Sequence, residues 1–202
     1  VGIGPDGSLW GGEALLGHPG DWQRLATFRS FRLPGGERAG REPWRSAAAL
    51  CWESGHDCHL EEASDPLLFS FWQQGNNAPL TSAVGRIFDA ASALSGVCTR
   101  ASFEGQGPMY LETEAAKVND INKVEFTELA LSRAVGHYTA DWAPLVPMMA
   151  DSSLPVPERA ARFHSSMAHS LLRQAVAIRG DTSINKVALS GGVFQNRVLT
   201  RQ

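Results

Sequence analysis

The chain has 202 residues, 43% of them hydrophobic and 19% charged, an ordinary globular composition with material for one sizeable core or two small lobes. Its 18 basic and 21 acidic residues give a formal charge of -3 and form no cationic stripe, so nucleic acid is not an expected partner. Cys51, Cys58 and Cys98 are unevenly spaced and odd in number, unlike a secreted disulfide framework, and no apolar run reaches the roughly 18 to 20 residues of a membrane span; a cytoplasmic location is expected.

In chain order, Ile3 to Leu16 reads as a hairpin turning at Pro5-Asp6-Gly7, with Gly11-Gly12 interrupting its second strand. Trp22 to Leu33 reads as a strand that ends in the loop Leu33-Pro34-Gly35-Gly36. Apolar residues at three- and four-residue spacing then predict helices over Pro43–Trp52, Pro66–Gln74, Ser82–Ser95, Glu112–Lys117, Thr127–Tyr138 and Pro157–Arg179. Thr81 or Ser82 is placed to cap the third. Lys186–Leu189 reads as a short buried strand that leads through Ser190-Gly191-Gly192 into a helix opening near Gln195. Val1-Gly2-Ile3-Gly4 reads as mid-strand and Gln202 as mid-helix, so both ends are expected to be cuts within a larger domain.

Four segments carry candidate chemistry. The strand, glycine turn and helix of Val187 to Leu199 bring backbone N–H groups and a helix dipole towards one point, where an anion can rest on Gly191 and Gly192; the plain alternative is a tight turn. In Ser82 to Leu94, Gly85 and Asp89 share a helix face, on which a ribose could press against the glycine while the carboxylate takes its hydroxyls, or Asp89 is simply solvated and Gly85 a packing gap. Glu104 and Gly105 lie in a glycine-rich loop that could hold a sugar hydroxyl or cap the next helix. Arg45, beside Trp44, could orient a planar anionic or amide-like group, or belong to a surface helix start. Cys51, His56, Cys58 and His59 match no standard zinc spacing, and His164 and His169 read as one packed and one solvated histidine. HExxH, GxSxG and GxxxxGK[ST] are all absent from the sequence.

Taken in order, DGSLWGGE, LPGGE, PWR, NAPLTSAVGRIFDAASALSGV, SFEGQGPMYLE, FH (Phe163, His164) and VALSGGVFQNRVL resemble the HypF carbamoyltransferases of hydrogenase maturation, collinearly along the whole chain. The resemblance implies an α/β fold of the actin, sugar kinase and Hsp70 (ASKHA) type, two-lobed, helix-rich and truncated at both ends. Residues 1–202 would be one internal piece of the threonylcarbamoyl-transferase-like domain, with a possible lobe change near 119–157. It implies ATP or AMP as ligand, carbamoyl-adenylate made upstream from carbamoyl phosphate, and transfer of the carbamoyl group to the C-terminal cysteine of HypE, later dehydrated to the cyanide ligand of [NiFe]-hydrogenase. It places Gly85 and Asp89 at the ribose, Glu104 and Gly105 beside it, Gly191, Gly192 and Asn196 at adenosine or phosphate, Gly11, Gly12 and Glu13 on a cleft-facing hairpin, and Arg45 near the carbamoyl or phosphate end.

The family's metal-binding HxxxH segment, the aspartate before the first hairpin and a second DGG segment fall outside Val1 to Gln202, and Glu37 stands where the family usually has aspartate. Metal ligands are therefore expected elsewhere in the parent protein, and the piece alone is expected to be inactive. Two other readings remain open on sequence alone: an O-carbamoyltransferase of a small-molecule hydroxyl, and a nucleotide-binding or docking module without turnover.

Overall fold

The computed structural model describes residues 2–134 and 136–202. Two small sheets meet a group of helices. In the first sheet, β1 (Gly2–Ile3) and β2 (Leu9–Trp10) are antiparallel around a turn that Asp6 holds by accepting from Ser8 N (3.0 Å) and Trp10 Nε1 (3.0 Å). This confirms the first half of the expected hairpin. The second half departs from it: at Gly11-Gly12 the chain leaves the sheet, and β3 (Ala14–His18) pairs instead with β4 (Asp21–Phe28).

The strand expected over 22–33 likewise divides, because β4 belongs to the second sheet and β5 (Phe31–Arg32) to the first. At the break, Arg29 N donates to Ala140 O (2.9 Å) and its guanidinium reaches Glu53 O (2.9 Å) and Asp141 (3.3 Å), which turns the backbone out of the ladder.

The helices start where proline or a turn residue sets them. Pro43 opens α1 (Pro43–Ser54), and Pro66 opens α2 (Pro66–Gln73) with Asp65 as its side-chain cap. The two-residue strand β6 (Leu80–Thr81) completes the first sheet in the order β1-β2-β6-β5 and leads into α3 (Val84–Leu94). The expected side-chain cap of α3 is absent. Thr81 Oγ1 accepts from Ala83 N (3.1 Å), Ser82 Oγ turns to Glu13, and the Gly11 carbonyl takes Val84 N (3.1 Å). The glycine segment after β2 therefore closes the end of α3. α4 (Gln106–Ala115) begins earlier than the sequence predicts, directly after Gly105 at φ 87°.

The helix expected over Thr127–Tyr138 is a hairpin: β7 (Leu131–Ala134) and β8 (His137–Ala140) turn through Gly136 at φ 87°, and β8 lies parallel to β4, giving the sheet order β3-β4-β8-β7. Val135, inside that span, lies outside the described residues, as does Val1. The apolar spacing of 127–138 fits a helix locally, but pairing with an available strand edge overrides it. α5 (Leu145–Ala150) was not expected, whereas α6 (Val156–Thr182) extends the predicted long helix at both ends.

Lys186–Leu189 is not a strand. No neighbouring strand among the described residues offers it a ladder, and Val187 and Leu189 are 71% and 61% exposed rather than buried. After it come a 3-10 turn over Gly192–Gln195 and α7 (Arg197–Thr200).

One continuous apolar core joins Phe28 and Phe31 to Leu50, Ile87, Phe88, Leu111, Trp142, Met149, Phe163 and Met167 and runs on to Leu199. Phe88 meets Phe163 edge-on at 4.8 Å, and Phe31 meets Trp142 edge-on at 5.7 Å. Helix α3 lies at its centre, packed against α1, α4 and α5. No helix among the described residues is long and apolar enough to cross a membrane.

Candidate functional site

Asp89 is a buried carboxylate on α3 with no hydrogen-bond donor. Its side chain is 1% exposed on the helix that fills the core, and neither carboxylate oxygen accepts a hydrogen bond. Arg86, one turn earlier, comes within 3.1 Å of Oδ2, but its hydrogen bond is directed to Glu104 Oε1 at 3.0 Å. Arg86 therefore offers Asp89 its charge but no aimed N–H, and both Asp89 oxygens lack a hydrogen-bond donor. Burial pushes the Asp89 carboxyl up to about 7, with Arg86 opposing the rise and Glu104 adding to it. A buried carboxyl without donors costs stability unless another group supplies them.

Gly85 precedes Asp89 by one turn of the same helix, and a Cβ placed on it would meet no atom within 4 Å. Open space also surrounds Gly105, Gly191 and Gly192. The 192–195 turn packs against α3, so the late glycine turn and the Gly85–Asp89 helix adjoin. Asn196 ends that turn. It is buried, its Oδ1 accepts from Leu199 N at 2.9 Å, and its Nδ2 lies 2.9 Å from His164 Nε2.

The early glycines behave oppositely. A Cβ on Gly12 would come 2.6 Å from Ser82 O and 2.6 Å from Val84 Cγ2, so this residue is consumed by close packing against the start of α3. Glu13 accepts from Gly12 N (2.8 Å), Thr27 Oγ1 (3.3 Å) and Ser82 Oγ, tying the hairpin to β4 and α3. Arg45 is engaged as well: it pairs with Glu42, lies over the Trp44 ring at 4.3 Å, and fills the space beside Gly35.

Two hollows lie elsewhere. One of about 350 Å³ is bounded by Gly96, Val97, Tyr110, Thr113, Glu114 and Val156, and one of about 180 Å³ lies between the second sheet and the end of α6. Neither is bordered by Gly85, Asp89, Gly191 or Gly192.

No group of three or more His, Cys, Asp or Glu side chains is arranged to hold a metal ion among the described residues, which include Cys51, His56, Cys58 and His59. His164 is packed as expected, whereas His169 is half-buried and stacks on Phe126 at 4.1 Å. Sequence reasoning passed over Arg86 and His164 as site residues. The first had a signal, its three-residue spacing from Asp89; the second had none beyond the Phe163-His164 pair.

A family model described as "Carbamoyltransferase, Kae1-like Domain, second subdomain" matches residues 1–202. The chain belongs to this carbamoyltransferase family. Among the carbamoyltransferases, HypF2 of Cupriavidus necator is 34% identical over 228 residues, which cover 100% of this chain and 28% of that relative. HypF of Rhodobacter capsulatus is 36% identical over 202 residues, covering 97% of this chain and 26% of the relative. A crystal structure of full-length HypF in the phosphate- and nucleotide-bound form superposes with a TM-score of 0.86 at 29% identity, over 98% of this chain and 27% of that one. The chain thus spans about a quarter of these carbamoyltransferases, and its α/β fold with mixed sheets is theirs.

Proposed function

We propose that this chain is the part of a HypF-type carbamoyltransferase that grips an adenine nucleotide and presents a carbamoyl group to an attacking thiol. The observation that carries the reading is Asp89: a buried carboxylate without hydrogen-bond donors, one turn from an open glycine on the helix that packs against the 192–195 turn. Two adjacent ribose hydroxyls are the donors such a carboxylate lacks, and Gly85 leaves room for the sugar. A phosphate or the adenosine edge would lie towards Gly191, Gly192 and Asn196, with Glu104 and Gly105 at the rim. Support also comes from the related full-length HypF, whose crystal structure is a phosphate- and nucleotide-bound form.

Carbamoyl-adenylate, when bound, supplies an activated carbamoyl carbon with AMP as leaving group. The chain's own residues bind and orient. Asp89 fixes the ribose, Arg86 spans Asp89 and Glu104, and Asn196 holds the end of the glycine turn. Placing the reacting carbon where a thiolate can approach contributes most of the acceleration, as positioning does generally. The acceptor in this reading is the C-terminal cysteine of HypE in the cytoplasm, the thiocarboxamide leads to the cyanide ligand of [NiFe]-hydrogenase, and any divalent metal is held by other parts of the parent protein.

The test uses the full polypeptide that carries this chain. ATP binding is measured by calorimetry, and transfer from carbamoyl phosphate and ATP to a peptide ending in cysteine by mass spectrometry. Asp89→Ala is expected to weaken ATP binding by roughly ten- to a hundredfold, the scale of lost hydrogen bonds to a charged group. Unchanged ATP affinity in that variant removes the ribose assignment, and transfer to small-molecule hydroxyls in preference to the thiol removes the HypE assignment.

A further inference from the structure

The Gly191–Asn196 turn is exposed at its glycines, yet its far end is anchored inside the protein. Asn196 Oδ1 accepts from Leu199 N at 2.9 Å, which leaves the amide nitrogen facing His164 Nε2 at 2.9 Å. His164 is wholly buried in α6, and its Nδ1 lies 2.7 Å from Ala160 O. A carbonyl oxygen only accepts, so the ring proton is on Nδ1 and Nε2 receives the Asn196 N–H. Together these contacts admit one imidazole tautomer and one amide orientation. The same ring stands edge-on to Phe88 at 5.5 Å, one residue before Asp89. A single side chain therefore touches both the segment that carries the late glycines and the helix that carries Asp89.

We propose that His164, as the neutral Nδ1–H imidazole, is the positioning residue that holds the Gly191–Asn196 turn against the Asp89-bearing helix. Its consequence for ligand binding rests on the nucleotide reading above; the hydrogen-bonded anchor does not. The elements packed around α6 carry Glu112 and Glu114 on α4, Arg86 and Asp89 on α3 and Arg197 on α7, and of these the Glu112 charge favours the imidazolium. Burial outweighs Glu112 and holds His164 below the ordinary histidine value.

A second ring proton would set N–H against N–H at Asn196. Asn196 cannot rotate its amide in response without turning its NH2 onto Leu199 N–H. Protonation thus releases the turn. Because the folded value is depressed, the stabilisation is present above the unfolded histidine value of about 6.5 and is lost as pH falls below it.

The experiment follows amide hydrogen exchange of residues 191–200 and ATP affinity together, from about pH 5 to about pH 8, in the full polypeptide that carries this chain. His164→Leu is expected to speed exchange of that segment about tenfold or more at neutral pH, the scale of one lost buried hydrogen bond, and to weaken ATP binding by a similar factor. His164→Gln, whose amide oxygen can stand where Nε2 stood, is expected to restore both and to abolish the acid-side loss seen in the native protein. Asn196→Asp is expected to invert the profile, since its carboxylate pairs with an imidazolium and keeps the turn ordered in acid. Should His164→Leu fail to fold, the native acid profile and the other two variants decide. Unchanged exchange of 191–200 in folded His164→Leu, or identical pH profiles for native and His164→Gln protein, overturns the inference. Lost ordering with unchanged ATP affinity overturns the nucleotide reading and leaves the positioning role standing.

Discussion

Two glycine-and-carboxylate segments flank the start of α3, and they are in opposite physical states. At Gly12-Glu13 everything is used: the glycine touches a backbone carbonyl, and the carboxylate takes a backbone N–H and two hydroxyls. At Gly85 and Asp89 much is left open: the glycine faces open space, and the carboxylate, with only the Arg86 charge 3.1 Å away, is buried without a hydrogen-bond donor. In sequence both look like a glycine near an acid. The difference shows that a satisfied pair is scaffold, whereas an unsatisfied buried pair stores a cost that a ligand can relieve.

The comparison is tested most severely at Asp89. Its folded pKa is raised to about 7, so the folded chain holds an extra proton between the ordinary aspartate range and neutrality, and stability falls as pH rises through that window. Asp89→Asn removes the charge. It is expected to stabilise the protein by roughly 2–4 kcal/mol above pH 7, with the difference shrinking as pH falls and small below about pH 4, where Asp89 is protonated in the folded and largely in the unfolded chain. Denaturant unfolding at several pH values measures this, and a variant less stable than the native protein at pH 8 would contradict the claim that Arg86 only partly offsets the burial of the Asp89 charge.

Gly12→Ala tests the opposite state. A methyl group placed 2.6 Å from Ser82 O forces the hairpin and α3 apart, at an expected cost of about 1–3 kcal/mol, read from the unfolding midpoint. Gly85→Ala, with the same added atom in open space within a helix, is expected to gain about 0.5–1 kcal/mol of stability through helix propensity while weakening ATP binding. Equal stability changes for the two alanines would erase the distinction between scaffold and site.

Much of this was legible in the residues. Pro43 and Pro66 announced their helices, the spacing of 82–95 and 157–179 placed α3 and α6, and Pro5-Asp6-Gly7 placed the first turn. What failed depends on partners distant in the chain. Thr127–Tyr138 has helical spacing but pairs with β4, and Lys186–Leu189 has strand composition but finds no edge among the described residues. For the site, Gly85 and Asp89 could be named from their shared helix face. That Gly12 is consumed by packing, that Arg45 is held by Glu42, and that His164 meets Asn196 follow only from contacts between separate elements.

The smallest effect is expected at Glu104, and it asks what keeps Asp89 unsatisfied. Glu104 is 73% exposed on its side chain, yet it takes the hydrogen bond from Arg86 that Asp89 lacks, and its charge adds to the rise at Asp89. Glu104→Gln removes that charge and frees the guanidinium, already 3.1 Å from Asp89 Oδ2, to aim an N–H at it. Stability is expected to change by less than about 1 kcal/mol, as for most exposed ion pairs. The Asp89 carboxyl is expected to titrate below its native value of about 7, which carboxyl-carbon NMR resolves directly. A titration left unmoved would mean that burial alone sets Asp89, with Arg86 and Glu104 only bystanders at the rim.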